Sequence, residues 1–249
     1  MIRFIGCVAL LLGGPLLAAA PVKKPLPKTA AKPVPTASKP TPVPARIYDF
    51  KGIPLGISLE DFRTKPHPDG KPSKVVCTGD ELPDELGGQE AARMTRIYDD
   101  TEKSLGVKRC VFMEQSGISK YYYEAALNLA ATRYNMTPYG FYFIADPKDG
   151  VMRLFRFSGT SVRDAAAEVI TAMTGKFGQP HIVTDKVQNK MGASFDHVIA
   201  TWSNPLSAII VEDRYSKIDD MGIVMIDTRL SKIINDADAA KKAATPNAI

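Results

Sequence analysis

Residues 139–157 read YGFYFIA, DPKDG and VMRLFRF, and this stretch decides the fold. Two runs rich in aromatic and branched side chains flank a short segment that contains Pro147 and Gly150, residue types that favour tight turns. The pattern predicts a β-hairpin with strands at Tyr139–Ala145 and Val151–Phe157. The expected fold class is α+β, with antiparallel sheets and few helices.

Extended patterns occur on both sides of this hairpin. Val107–Met113 predicts a strand upstream. The tract from Tyr121 to Tyr134 is ambiguous, because its alanines suit a helix whereas Leu127 and Leu129 alternate with Asn128, which slightly favours a strand. Three further strand signals follow downstream, separated by turns: Ser194–Trp202, Ser207–Arg214 and Gly222–Asp227.

Helix signals come before each group of strands. Ser58 is a good N-cap and Asp61 follows three residues later, so a short helix should begin there. A longer helix is expected to open at Gly159–Asp164, because apolar residues at spacings of three and four follow it. Gly178 and Pro180 should end that helix.

The chain begins with the pattern of a secretion signal. Arg3 precedes the apolar run Phe4–Ala20, which is slightly short for a bilayer crossing and is interrupted by Gly13-Gly14-Pro15. The pattern predicts a signal peptide at residues 1–20 and export to an oxidising compartment, the bacterial periplasm. Pro21 disfavours cleavage directly before it, so a retained membrane anchor stays an alternative.

Residues 21–46 are rich in Pro, Lys and Ala and predict a disordered linker. Seven basic residues and no acidic residue precede Ile47, so the formal charge of +5 for the whole chain becomes −2 for the rest. The folded part is therefore not expected to bind nucleic acid. The linker either solubilises the protein or associates with an anionic membrane surface.

The rest of the chain divides into two expected α+β units, residues 47–157 and 158–235. The two helix starts share the pattern Gly-x-Ser-apolar-x-Asp, at Gly56–Asp61 and Gly159–Asp164, and each leads into strands. This indicates either a duplicated unit or a chance recurrence. A last helix is expected at about Thr228–Ala244, although only its first half is amphipathic, and residues 236–249 are expected to form a disordered tail.

The second helix start, Gly159-Thr160-Ser161, and the helix end at Lys176–Pro180 carry a family resemblance. This segment resembles the helical hairpin of small periplasmic domains of the outer-membrane-assembly lipoprotein and β-lactamase-inhibitor-protein type. The likeness covers about a tenth of the chain, and the chain lacks the lipidated cysteine of those lipoproteins. The resemblance implies tandem α+β units whose sheets present a protein-binding face.

Cysteine usage agrees with export. Outside the signal the chain contains only Cys77 and Cys110, an even pair that predicts a disulfide in an oxidising compartment. The alternative is a catalytic thiol, but the chain has no CxxC motif and only three histidines.

Motifs for common chemistries are absent from the sequence, which has no GxSxG, no HExxH and no phosphate-binding loop. Asp196 and His197 are adjacent and either orient an imidazole for acid-base work or form an ordinary surface pair. Three acidic pairs either bind calcium or are solvated loop charges: Asp80-Glu81, Asp84-Glu85 and Asp99-Asp100. We therefore predict no catalytic residue, no metal and no cofactor.

Aromatic residues cluster between Tyr121 and Phe143, where strand alternation should bury some and expose others. The candidate partner-binding side chains are Tyr121, Tyr122, Tyr123, Tyr139 and Tyr142; the alternative is a core with scattered surface tyrosines. Trp202 is expected to support the second sheet.

Together these patterns predict an envelope accessory protein that binds another envelope protein, with a hydrolase-like enzyme or a small-ligand-binding protein as alternatives. The oligomeric state is not predicted.

Overall fold

The computed structural model describes residues 46–129 and 133–244. The signal peptide, nearly all of the linker and the end of the tail lie outside these residues. The helices are α1 Leu59–Arg63, α2 Gly88–Met94, α3 Asp100–Ser104, α4 Ala166–Phe177 and α5 Thr228–Ala244. The strands are β1 Asp49–Phe50, β2 Ile53–Pro54, β3 Ser73–Cys77, β4 Lys108–Gln115, β5 Tyr122–Glu124, β6 Leu127–Asn128, β7 Asn135–Met136, β8 Tyr139–Ala145, β9 Met152–Val162, β10 His181–Gln188, β11 Ser194–Ser203, β12 Ser207–Glu212 and β13 Asp220–Asp227.

Within the described residues, one antiparallel sheet of nine strands dominates the fold, in the order β10-β11-β12-β13-β9-β8-β4-β3, with β5 paired to β4. The fold class is α+β, as predicted. The order resolves into two meanders, β3-β4-β8-β9 and β10-β11-β12-β13, each preceded by a helix. The meanders join through their last strands, β9 and β13. The hairpin, the three downstream strands and the final helix are confirmed.

Strand β9 departs from the sequence prediction at its C-terminal end. It stays extended to Val162 because Ser158–Val162 pair with β13, and the helical segment opens only at a 3₁₀ turn, Arg163–Ala165. Ser58 caps α1, whereas Ser161 lies in the strand and donates its hydroxyl to the Asn135 carbonyl. The shared motif therefore has different roles in its two copies. The expected boundary between residues 157 and 158 falls inside β9, which pairs on both sides.

Rings fill the space between the sheet and the helices on one side. Phe62 of α1 is fully buried and contacts Phe112, Phe141 and Phe143, with ring centroids 4.8 to 5.5 Å apart. Trp202 of β11 is buried, and its indole N–H donates to the Gly178 carbonyl just after α4. On the other side of the sheet, α5 covers β8 and β9 with Leu230 and Ile234.

Cys77 and Cys110 form a disulfide between directly opposite residues of β3 and β4. Both cysteines are fully buried. The intervening loop contains α2 and α3, so the bond fixes two helices to the sheet.

Helix α5 runs to Ala244, which corrects the expectation of a disordered tail from residue 236. Its second half contacts α3, because the Thr101 hydroxyl donates to Asp238. None of the helices in residues 46–129 and 133–244 is both long and apolar enough to span a bilayer.

Asp146, in the turn between β8 and β9, ties this hairpin to α5. Arg229 donates two hydrogen bonds to its carboxylate, at 2.9 and 2.7 Å, and Arg153 lies 3.5 Å away. These hydrogen bonds to Arg229 lower the pKa of Asp146 to about 2.

We expect Asp146→Asn to lower the melting temperature at about pH 7. The difference in melting temperature between wild type and variant should become smaller as the pH falls. A carboxylate whose pKa is lowered in the folded state stabilises the protein above its ordinary value of 3.8, and this contribution is lost as the pH falls through about 2. Thermal unfolding of both proteins from neutral to strongly acidic pH measures this difference in melting temperature. The control is Asp100→Asn, because the Asp100 carboxylate is largely exposed. A difference in melting temperature for Asp146→Asn that stays constant with pH would contradict a lowered pKa of Asp146.

Candidate functional site

The side of the sheet opposite α1 and α4 is only half-buried across β11, β12, β13 and the end of β9. Alternation is clear in β12, where Ser207, Ile209 and Val211 are buried and the intervening residues are half-buried. We call the half-buried side the open face. It consists of Ser158, Thr160, Ile199, Thr201, Ala208, Ile210, Glu212, Val224 and Ile226.

Strand pairing arranges the open face in straight rows. Thr201, Ile210, Val224 and Ser158 are directly opposite one another on four neighbouring strands. Their side chains are small or β-branched and have few rotamers to lose, so the surface is pre-organised for contact.

A cationic and aromatic cluster borders one side of the open face. Tyr142 lies beneath the Arg156 guanidinium, 4.0 Å from its ring centroid, and Arg109 lies 5.7 Å away. The buried Glu102 carboxylate accepts a hydrogen bond from each terminal nitrogen of Arg156. The Tyr139 carbonyl accepts a hydrogen bond from the Arg109 guanidinium. These bonds hold both guanidinium groups in place.

A cluster of acids around a histidine borders another part of the face. His197 is buried, with Nδ1 2.9 Å from the Asp185 carboxylate and Nε2 3.7 Å from Glu212. Asp196, the neighbour considered from the sequence, pairs instead with Lys186 on the other side of the strand. The imidazole is therefore oriented by the Asp185 carboxylate of β10, with Glu212 of β12 near its other nitrogen, and only the strand register brings these groups together.

The five candidate tyrosines fall into different environments. Tyr121 and Tyr123 are exposed near β5, Tyr122 is half-buried with Lys74 above its ring, and Tyr142 borders the open face. Tyr139 corrects the prediction, because it is 1% exposed. Its hydroxyl donates to the Ala125 carbonyl, and burial strongly raises its pKa. Tyr139 is a core residue and does not reach a partner.

Glu124 is a buried acid beside this core tyrosine. Its carboxylate accepts the Tyr139 backbone N–H at 2.9 Å and the Thr137 hydroxyl at 3.2 Å. Burial raises the pKa of Glu124 above its ordinary value of 4.5.

We expect Glu124→Gln to raise the melting temperature at neutral and alkaline pH, because the amide oxygen can accept the Tyr139 N–H and the amide NH2 can donate to the Thr137 hydroxyl, without a buried charge. An acid with a raised folded-state pKa destabilises the protein above that pKa, and the penalty disappears as the pH falls below 4.5. Thermal unfolding against pH tests this, with exposed Glu85→Gln as the control. A loss of stability at alkaline pH would show that the charge is favourable.

A separate apolar cleft of about 460 Å³ lies between α4, the helix-covered side of β13 and the β1–β2 ribbon. Its walls include Phe50, Val169, Met173, Phe177 and Ile223. Two ion pairs stand at the rim, Lys176 with Asp49 at 2.8 Å and Lys51 with Asp69.

Two of the three acidic pairs considered as calcium ligands contain a residue with a structural partner. Asp80 accepts two hydrogen bonds from Arg63, and Asp99 caps α3 by accepting the Glu102 N–H. Among the described residues, no group of three or more His, Cys, Asp or Glu side chains is placed to hold a metal ion.

Comparison with known proteins adds no relative to this description. No protein-family model matches the chain, and neither a curated protein nor a solved structure matches it.

Proposed function

We propose that the chain is an exported, non-enzymatic envelope protein that binds another protein through its open face. The open face carries this proposal: its straight rows of half-buried side chains place Ile199, Ile210, Val224 and Ile226 among small and polar residues. Partly exposed apolar side chains rimmed by polar residues are typical of a protein-interaction site. The half-buried side chains of Tyr142 and Arg156 at the border of this face support the proposal, since Tyr and Arg are enriched in interface cores.

The topology supports the relationship implied by the sequence resemblance. A helix followed by four antiparallel strands occurs twice, with α2, α3 and β5–β7 inserted in the first copy, and this agrees with the tandem α+β units that the resemblance implies. We propose on this basis that the two halves arose by duplication, despite the different roles of Ser58 and Ser161.

Export is the part of the proposal that concerns residues 1–20. Deletion of these residues should leave the protein in the cytoplasm, with Cys77 and Cys110 reduced. Cell fractionation combined with maleimide labelling measures both. Equal amounts of protein outside the cytoplasm with and without residues 1–20 would overturn the export proposal.

Site-specific photocrosslinking in intact cells tests the open face. A benzophenone amino acid at Thr201 should give a discrete adduct with a partner protein, and the second substitution Ile210→Arg should abolish it by placing an unpaired charge in the interface. The matched control places the probe at Ala167, exposed on α4. Equal adducts at Thr201 and Ala167, or an adduct at Thr201 that Ile210→Arg leaves unchanged, would overturn the proposal.

A second candidate function is binding of a small apolar ligand, which the cleft favours because its walls are mainly apolar and its volume suits a small molecule. The neutral dye N-phenyl-1-naphthylamine is a suitable probe. Ala172→Phe should fill the cleft and abolish dye fluorescence, whereas Ala167→Phe, on an exposed side of the same helix, should leave it unchanged. Equal dye binding by both variants would exclude the cleft as the site.

A further inference from the structure

Strand β10 is the outermost strand at one end of the sheet, and its regularity sets it apart. All eight residues, His181–Gln188, pair with β11 in continuous register, without a bulge or a proline. Residues 181–186 are all exposed, including Ile182 at 48% and Val183 at 42%. Natural sheets usually shorten, bend or cover such an edge, because its free backbone groups invite another strand.

In an antiparallel pair, alternate residues direct their backbone N–H and C=O groups to the same neighbouring strand, and this alternation identifies the groups of β10 that face outward. The Asn189 N–H donates to the Ala193 carbonyl beside β11, so odd-numbered residues of β10 point their backbone groups toward β11. The N–H and C=O groups of the even-numbered residues then point away from the sheet. These residues are Ile182, Thr184, Lys186 and Gln188.

The sequence of β10 is complementary to itself when two copies pair antiparallel about Val183. In this register, Ile182 and Thr184 of one copy exchange hydrogen bonds with Thr184 and Ile182 of the other. Val183 meets Val183 at the centre, and His181 lies opposite Asp185, whose carboxylate also contacts His197 of its own copy, at each end. Pairing about Asp185 instead would place two carboxylates directly opposite each other, which is unfavourable.

We propose that β10 is a self-association edge that pairs with β10 of a second copy, centred on Val183. A two-fold axis perpendicular to the sheet joins the two nine-stranded sheets and keeps their open faces on the same side. Five paired residues form a small interface, so the dimer exists in a concentration-dependent equilibrium. The proposal is independent of the identity of any other partner.

Cysteine crosslinking tests both the pairing and its register in purified full-length protein, with Cys7→Ser removing the third cysteine. Val183→Cys should form a disulfide-linked dimer on mild oxidation, because two copies of residue 183 meet in a non-hydrogen-bonded pair with Cα atoms about 4.5 Å apart. Val187→Cys is the matched control, on the same strand and the same side but outside the paired stretch. Equal crosslinking of Val183→Cys and Val187→Cys, or stronger crosslinking of Thr184→Cys, would overturn the proposed register.

Sedimentation equilibrium provides a second measurement that needs no cysteine. Thr184→Pro removes an outward N–H without removing a bond to β11 and should shift the protein to monomer. Gln188→Pro removes the same kind of group outside the paired stretch and should leave the equilibrium unchanged. Far-ultraviolet circular dichroism verifies that both variants are folded, and a wild-type protein that is monomeric at all concentrations would overturn the proposal.

Discussion

Phe62→Ala is expected to lower the free energy of unfolding by about 3–5 kcal/mol, the range for truncation of a fully buried ring. Phe62 has no exposed surface and contacts three other phenylalanine rings. Helix α1 has only five residues and is not stable by itself, so this side chain is the main connection between the helix and the sheet.

Equilibrium urea denaturation measures this loss, with Glu60→Ala as the control. Glu60 lies on the same short helix but is exposed, so its substitution should change stability by no more than about 0.5 kcal/mol. A cost below about 1 kcal/mol for Phe62→Ala would mean that the neighbouring rings close the cavity, and that α1 is held by other contacts.

Replacement of both disulfide cysteines, Cys77→Ala with Cys110→Ala, is expected to lower the free energy of unfolding by about 3–4 kcal/mol. The bond joins residues separated by 33 positions and restricts the unfolded chain accordingly. Alanine is preferred to serine here because both sites are fully buried, and a serine hydroxyl would add the cost of an unpaired polar group.

Urea denaturation of wild-type protein with and without dithiothreitol is the companion measurement. The reduced wild type should approach the stability of the double variant. If the oxidised wild type and the double variant unfold at the same urea concentration, the disulfide does not contribute to stability, and its role would be limited to the geometry of β3 and β4.

Elements with strong local patterns were predictable from the sequence, and elements defined by distant partners were not. The β8–β9 hairpin carries its turn and both of its apolar runs within 19 residues. Strand β10 escaped prediction because an edge exposed on both sides has no hydrophobic alternation. The start of the helical segment was placed too early because only pairing with β13, some 60 residues later, keeps residues 158–162 extended.

The prediction for the tyrosines also succeeded where local pattern decides the outcome and failed where distant contacts decide it. Alternation correctly separates Tyr142 from its neighbours Phe141 and Phe143, since adjacent strand residues point to opposite faces. Alternation does not tell which face the helices cover, and Tyr139 shares the helix-covered face with Phe141. The contact of His197 with Asp185 and Glu212 depends on the pairing of three strands, so the Asp196-His197 dipeptide pointed to the wrong carboxylate.

The joining of the two meanders through their last strands has a consequence for the protein as it is being made. Strand β9 is complete after residue 162, but its partner β13 ends only at Asp227, shortly before the end of the chain. A growing polypeptide therefore carries β9, which includes Phe157, with β8 on one edge and no partner on the other edge, through the synthesis of the whole second half. Premature termination before β13 would leave that strand permanently available to other nascent chains, so incomplete copies of this protein are expected to aggregate rather than persist as half-folded domains.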